Sequence, residues 1–266
     1  MKLFFLNINK SVLYKIILLS ALFVQANASN VSVWLINKKE SEQWAPTGRL
    51  ILANYKRCNA HLVGIDKIVT SAKCLSNRFG KRLDDSEIFP AKFQAGFYDG
   101  YGDDPYKYQV SVLKIDAFGS PNTHSDYAIL RLRGTIGYKA GWFKILNTDL
   151  LDLSSPRWKQ KIILAGNHSY TTMVLARNCS IFGKYNRTWG EYFYNHDCIR
   201  LASDSRPNVY TGSGLFVMRG GEPYLVGIYT SQSIGGTRRW DPDTGNFVSN
   251  EVRGELTHVS IFKDLL

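Results

Sequence analysis

The sequence predicts an all-β fold, a barrel or sandwich of short strands, on three observations. Runs rich in β-branched and aromatic residues recur at 49–53, 61–63, 67–70, 108–115, 127–132, 161–165, 214–218 and 224–230. Gly, Asn, Asp or Pro stand between many of these runs. Helical periodicity is scarce, and no repeat, linker or low-complexity tract divides the chain.

Residues 1–28 read as a signal peptide rather than as structure. Lys2, Lys10 and Lys15 give a positive N-region, residues 16–24 are apolar, and Ala26-Asn27-Ala28 is a small-residue cleavage site. The apolar run falls short of the roughly 20 residues that cross a bilayer, so cleavage is expected rather than an anchor. Removal leaves residues 29–266, or 266 − 28 = 238 residues, a size that one all-β domain reaches. The segment carries three lysines and no acid, so the mature charge is +11 − 3 = +8. That excess favours acidic partners or surfaces. No Lys/Arg run exceeds two residues, which gives a specific nucleic-acid site little support. A basic secreted or periplasmic protein is the expectation.

Within the mature chain, residues 58–74 have the form of a strand, a turn at Gly64 to Asp66, a second strand and a short loop ending at Cys74. Met218-Arg-Gly-Gly-Glu-Pro-Tyr224 reads as a hairpin loop between apolar strands. A closing turn or short helix is expected over 260–266. Two packed barrels suit the length, with a break near 133–160. The four cysteines, Cys58, Cys74, Cys179 and Cys198, are an even set behind a signal peptide and read as two disulfides. Zinc is the competing reading, but no C-x-x-C or H-x-x-x-H pair supports it, and no metal is expected. His61, His124, His168, His196 and His258 are scattered singly.

Three segments carry the chemistry. The first ends Thr70-Ser71-Ala72-Lys73-Cys74, the second is Ser125-Asp126-Tyr127-Ala128-Ile129-Leu130-Arg131-Leu132, and the third is Tyr210-Thr211-Gly212-Ser213-Gly214-Leu215-Phe216-Val217. In order and spacing they resemble the base, acid and nucleophile segments of the trypsin/chymotrypsin serine peptidases, bacterial branch. That family usually reads Thr-Ala-Ala-His-Cys, Asp-Ile-Ala-Leu-Leu-Arg-Leu and Gly-Asp-Ser-Gly-Gly-Pro-Leu-Val. Trp44-Ala-Pro-Thr-Gly-Arg49-Leu50 and Asn195-His-Asp-Cys198 extend the likeness to roughly residues 35–265. Thirteen residues after Ser213, Val226-Gly227-Ile228-Tyr229-Thr230-Ser231 is similar to the strand lining the primary specificity pocket.

The resemblance implies two packed six-stranded antiparallel β-barrels, a monomer without cofactor, and peptide or protein as partner. It implies Ser213 as nucleophile, Asp126 as acid and Lys73 in the base position. Thr211 and Ser213 would stand at the oxyanion hole, and Tyr229, Thr230 and Ser231 at the specificity pocket. It pairs Cys58 with Cys74, leaving Cys179 for Cys198.

Lys73 is the decisive departure. The triad mechanism needs a neutral imidazole that takes and returns the serine proton. A lysine acts as a base only when burial and positive neighbours depress its pKa, and a carboxylate such as Asp126 pushes the other way. An ion pair with Asp126 would keep Lys73 protonated, able to donate to Ser213 but unable to accept from it. Thr211, β-branched, stands where the resemblance puts the oxyanion-hole glycine. Gly212 replaces the aspartate that pairs with a new amino terminus in many relatives. Residues 199–209 read as an inserted loop. Its Ser203-Asp-Ser-Arg-Pro207 lacks the glycines of a nucleophile turn, so Ser213 is preferred over Ser205.

Three function classes follow. The first is a secreted trypsin-like protease homologue that is catalytically impaired and acts by binding. The second is an active serine endopeptidase with Ser213 as nucleophile and Lys73 or another group as base; His61, on the preceding strand, is one candidate. The third is a basic surface-binding module, motivated by the charge and by the aromatic loop Phe97-Tyr-Asp-Gly-Tyr101.

Overall fold

A computed structural model describes residues 32–35, 38–97, 106–146, 161–167, 173–186, 192–196, 198, 211–234, 239–241, 246–248 and 252–266. The signal-peptide reading at 1–28, the loop at 199–209 and the aromatic positions 98–101 lie outside them.

After β1 (Ser32–Leu35), six strands close a barrel. They are β2 (Thr47–Ile51), β3 (Arg57–Leu62), β4 (Lys67–Thr70), β5 (Lys92–Phe97), β6 (Tyr106–Phe118) and β7 (Ala128–Leu132). Their order around the barrel is β2-β3-β4-β7-β6-β5, every pair antiparallel.

The second half is a nine-stranded sheet. It contains β8 (Lys144–Ile145), β9 (Ile162–Asn167), β10 (Met173–Cys179), β11 (Ile181–Asn186), β12 (Tyr192–His196), β13 (Gly214–Arg219) and β14 (Glu222–Ile234). A separate hairpin joins β15 (Arg239–Asp241) to β16 (Asn246–Val248), and β17 (Val252–His258) returns to the sheet. The order is β1-β10-β9-β13-β14-β17-β12-β11, with β8 parallel to β14. The expected all-β architecture is thus present, with a closed first barrel and this sheet in place of the second. The β13–β14 hairpin turns at Gly220 and Gly221, whose φ of 60° and 83° are the paired positive values of the tightest hairpin turns. The C-terminus ends in two 3-10 turns, Val259–Ile261 and Lys263–Leu265. Among the described residues, no helix is long and apolar enough to cross a membrane.

Strand alternation explains how the halves meet. On β4, Ile68 enters the barrel core while Val69 faces the second cluster; on β7, Leu130 and Ile129 divide in the same way. Phe216 of β13 packs in that second cluster against Trp44, His61 and Phe143, with ring centroids 5.1, 5.4 and 4.5 Å away. On β3 the same rule sends Ala60 and Leu62 into the barrel core. It turns Asn59 and His61 toward the second sheet, where both are buried. Two polar side chains are thereby committed to the interface between the halves, and burial obliges them to find partners.

Candidate functional site

The segment after β4 sets the first part of the site. Ser71 caps a 3-10 turn, Ala72–Leu75, and its Oγ accepts the Lys73 N–H at 3.1 Å. The same hydroxyl donates to Asp126 Oδ1 at 2.6 Å, and the Lys73 N–H also donates to that oxygen at 3.0 Å. Asn122 N–H reaches Oδ2 at 3.1 Å. Asp126 is fully buried, and its carboxyl titrates above the usual carboxylate range because burial outweighs these donors and the positive charge of Lys73. Among the described residues, no ion pair joins the Lys73 and Asp126 side chains. Among the described residues, Lys73 meets Asp126 through its backbone amide, and its ammonium has no hydrogen-bond or ion-pair partner.

The Cys58–Cys74 disulfide, with Cα atoms 6.0 Å apart, ties this turn to β3. Cys179 pairs with Cys198 across 4.9 Å between Cα atoms. Both pairings agree with those implied from the sequence.

The glycine turn before β13 is fixed on every side. Asn59 N–H donates to Thr211 O at 3.0 Å, and Thr70 Oγ1 donates to Asn59 O at 2.6 Å. Gly212 N–H donates to Tyr229 O at 2.9 Å, and Tyr229 N–H to Ser213 O at 2.7 Å. Gly212 has φ +82°, and a Cβ there would collide with Asn59 O, so glycine is required. His61 supplies the remaining contact: Nε2 lies 3.0 Å from Gly212 O and Nδ1 3.2 Å from Thr47 Oγ1. A carbonyl can only accept, so Nε2 carries the proton and Nδ1 accepts from threonine. Burial pushes the His61 pKa down to about 3, against a partial rise from the Gly212 carbonyl. Both ring nitrogens are engaged, which leaves His61 a neutral structural group.

Ser213 is 0% exposed, and its Oγ accepts from Asn59 Nδ2 at 2.9 Å. Asn59 Oδ1 accepts from Asn167 N–H at 2.7 Å and Asn167 Nδ2 at 2.6 Å, and Tyr106 OH donates to Asn167 Oδ1. The serine therefore ends a buried network running from β6 through β9 and β3 to the turn before β13. The sequence reading missed Asn59, Asn167 and Tyr106. The signal available was Asn59 alternating with apolar positions on a core strand. Of the pocket residues, Tyr229 and Thr230 are buried and Ser231 continues β14 opposite Glu255.

The structure brings Lys73 together with Thr211. Both line an open cleft of about 410 Å³ whose walls include the Cys58 side of the disulfide, Lys56, Arg57, Arg78 and Asn122. Thr211 is 4% exposed. Lys56 Nζ donates at 2.8 Å to both Lys73 O and Ser76 O.

No protein-family model matches the chain, and a search of curated proteins finds no match. Solved structures do match. One, a Glu endopeptidase determined in complex with MPD, is 11% identical, with a TM-score of 0.58. The alignment covers 89% of this chain and 95% of that one. At that identity the likeness shows the fold, which is chymotrypsin-like.

Proposed function

We propose that this chain is an exported, non-catalytic protease homologue that uses its cleft to bind polypeptide. The observation that carries the reading is that Thr211, and not Ser213, lines the cleft together with Lys73. Ser213 Oγ is enclosed and engaged by Asn59.

A register shifted by two residues accommodates this. Thr211-Gly212-Ser213-Gly214-Leu215-Phe216 then stands against the family's Ser-Gly-Gly-Pro-Leu-Val. The threonine takes the nucleophile's place, and the positive-φ Gly212 takes that of the glycine after it. The chain thus departs at both reacting positions, with lysine for the base and threonine for the nucleophile. Loss of the base alone costs on the order of 10⁶ in turnover in a subtilisin-type triad. His61 offers no substitute, because protonating Nδ1 would break its bond from Thr47. The paired disulfides fit an oxidising compartment outside the cytosol.

Fluorophosphonate labelling of the purified mature protein, with Ser213→Ala beside it, tests the reading. Neither protein is expected to label. Labelling of the native protein that disappears in Ser213→Ala would establish the active serine endopeptidase instead.

A further inference from the structure

The described lining of the cleft carries charge of one sign. Among the described residues Lys56, Arg57, Lys73 and Arg78 line it, and no aspartate or glutamate does. Asp126 lies behind Lys73 with its carboxylate taken up by Ser71 and two backbone amides. The Lys73 ammonium has no partner among the described residues. Lys56 is held in place by two carbonyl oxygens, and burial, with the charge of Lys73, pushes its pKa down against an opposing pull from Asp126. Cations gathered in a partly desolvated opening repel one another, and a bound anion relieves that repulsion.

Exposed aromatic residues adjoin two of the lining cations in sequence. Tyr55 precedes Lys56 and is 83% exposed, and Phe79 follows Arg78 and is 79% exposed. The Arg78 guanidinium lies 4.7 Å from the Phe79 ring centroid. Stacking holds the guanidinium plane while its edge stays able to receive a carboxylate by paired hydrogen bonds. Exposed tyrosine, phenylalanine and arginine together are the composition of protein-binding hot spots.

We infer that this cleft binds a carboxylate-rich polypeptide segment, with Lys73 and Arg78 receiving acidic side chains and Tyr55 and Phe79 covering their neighbours. The inference rests on the reading that the cleft does not hydrolyse what it holds. A peptide is favoured over nucleic acid because the cations surround one short cleft instead of forming a stripe, and because the disulfides fit an extracytosolic compartment.

The test is fluorescence anisotropy with a labelled short peptide alternating Glu and Gly, its Gln counterpart, and an unlabelled oligothymidylate of matching length as competitor. The Glu peptide is expected to bind the mature protein at least about tenfold more tightly than the Gln peptide at low salt, and to weaken as salt rises. Lys73→Gln with Arg78→Gln should remove most of that preference, and each single change part of it. Lys139→Gln with Arg219→Gln, which removes the same charge outside the cleft lining, should keep it. Equal binding of the two peptides, or a preference unchanged in the cleft variants, would overturn the assignment. So would oligothymidylate displacing the Glu peptide more effectively than unlabelled Glu peptide does. A protein that neither labels with fluorophosphonate nor prefers the Glu peptide would refute this ligand class and leave the non-catalytic reading standing.

Discussion

Asn59 holds Ser213 inside the protein: its Nδ2 donates to the serine Oγ over 2.9 Å, across the interface between the first barrel and the second sheet. The hydroxyl that the sequence motif singles out is spent on joining the two halves. Ser213→Ala should therefore weaken folding. It removes the hydroxyl that accepts from Asn59 Nδ2, and the loss of one such intramolecular hydrogen bond costs about 0.5–1.5 kcal/mol. Urea unfolding of the native protein and the variant measures this; unchanged stability would mean that the bond contributes nothing.

Gly166 tests the same joint from the other side. A Cβ there would collide with Ser213 Oγ and come within 2.8 Å of Asn59 Nδ2. Gly166→Ala should destabilise by roughly 1–3 kcal/mol through overpacking. Adding Ser213→Ala removes the colliding oxygen, so the double variant should lose less than the sum of the two. Additive losses in a double-mutant cycle would contradict the contact.

His61 makes stability pH-dependent. Its folded pKa of about 3 lies below the ordinary value of 6.5, so between them the unfolded chain binds a proton that the folded chain refuses. Stability from this group is complete above 6.5 and falls, at up to about 1.4 kcal/mol per pH unit, as pH drops toward 3. Asp126 opposes it: with its pKa raised above 3.8, its contribution is present at low pH and is lost as pH rises through the folded value. The comparison of native protein with His61→Gln isolates the histidine. The acid-side slope should flatten in the variant, and an unchanged slope would place its origin elsewhere.

The Cys58–Cys74 bridge closes the loop that presents Lys73, its ends 16 positions apart in sequence. Replacing both cysteines by alanine should cost about 2–4 kcal/mol. Thermal unfolding reads this directly, and a melting temperature within error of the native value would contradict it.

The β architecture was legible because alternation and turn residues are local signals. The cysteine-flanked turn was legible as well, since Cys58 pairs with Cys74 as the likeness implied. What the sequence hid was register and direction. The segment around residues 211–213 offers a serine two places from a threonine, and only the pairing of Asn59 with Thr211 O distinguishes which lies at the cleft. The direction of the Lys73 side chain was equally hidden: proximity to Asp126 suggested an ion pair, but the backbone amide makes that contact. Asn59 and Asn167 lie 108 positions apart, so their network has no local signature.

The most direct test repairs both reacting positions. Fluorophosphonate adducts would be followed by intact mass in the native protein, Lys73→His, Lys73→His with Thr211→Ser, and that pair with Ser213→Ala added. With Thr211 at the nucleophile's place, the native protein and Lys73→His stay unlabelled. Labelling then appears only with Thr211→Ser and survives the loss of Ser213. Labelling of the native protein or of Lys73→His that depends on Ser213 would contradict it and return the serine to the reaction.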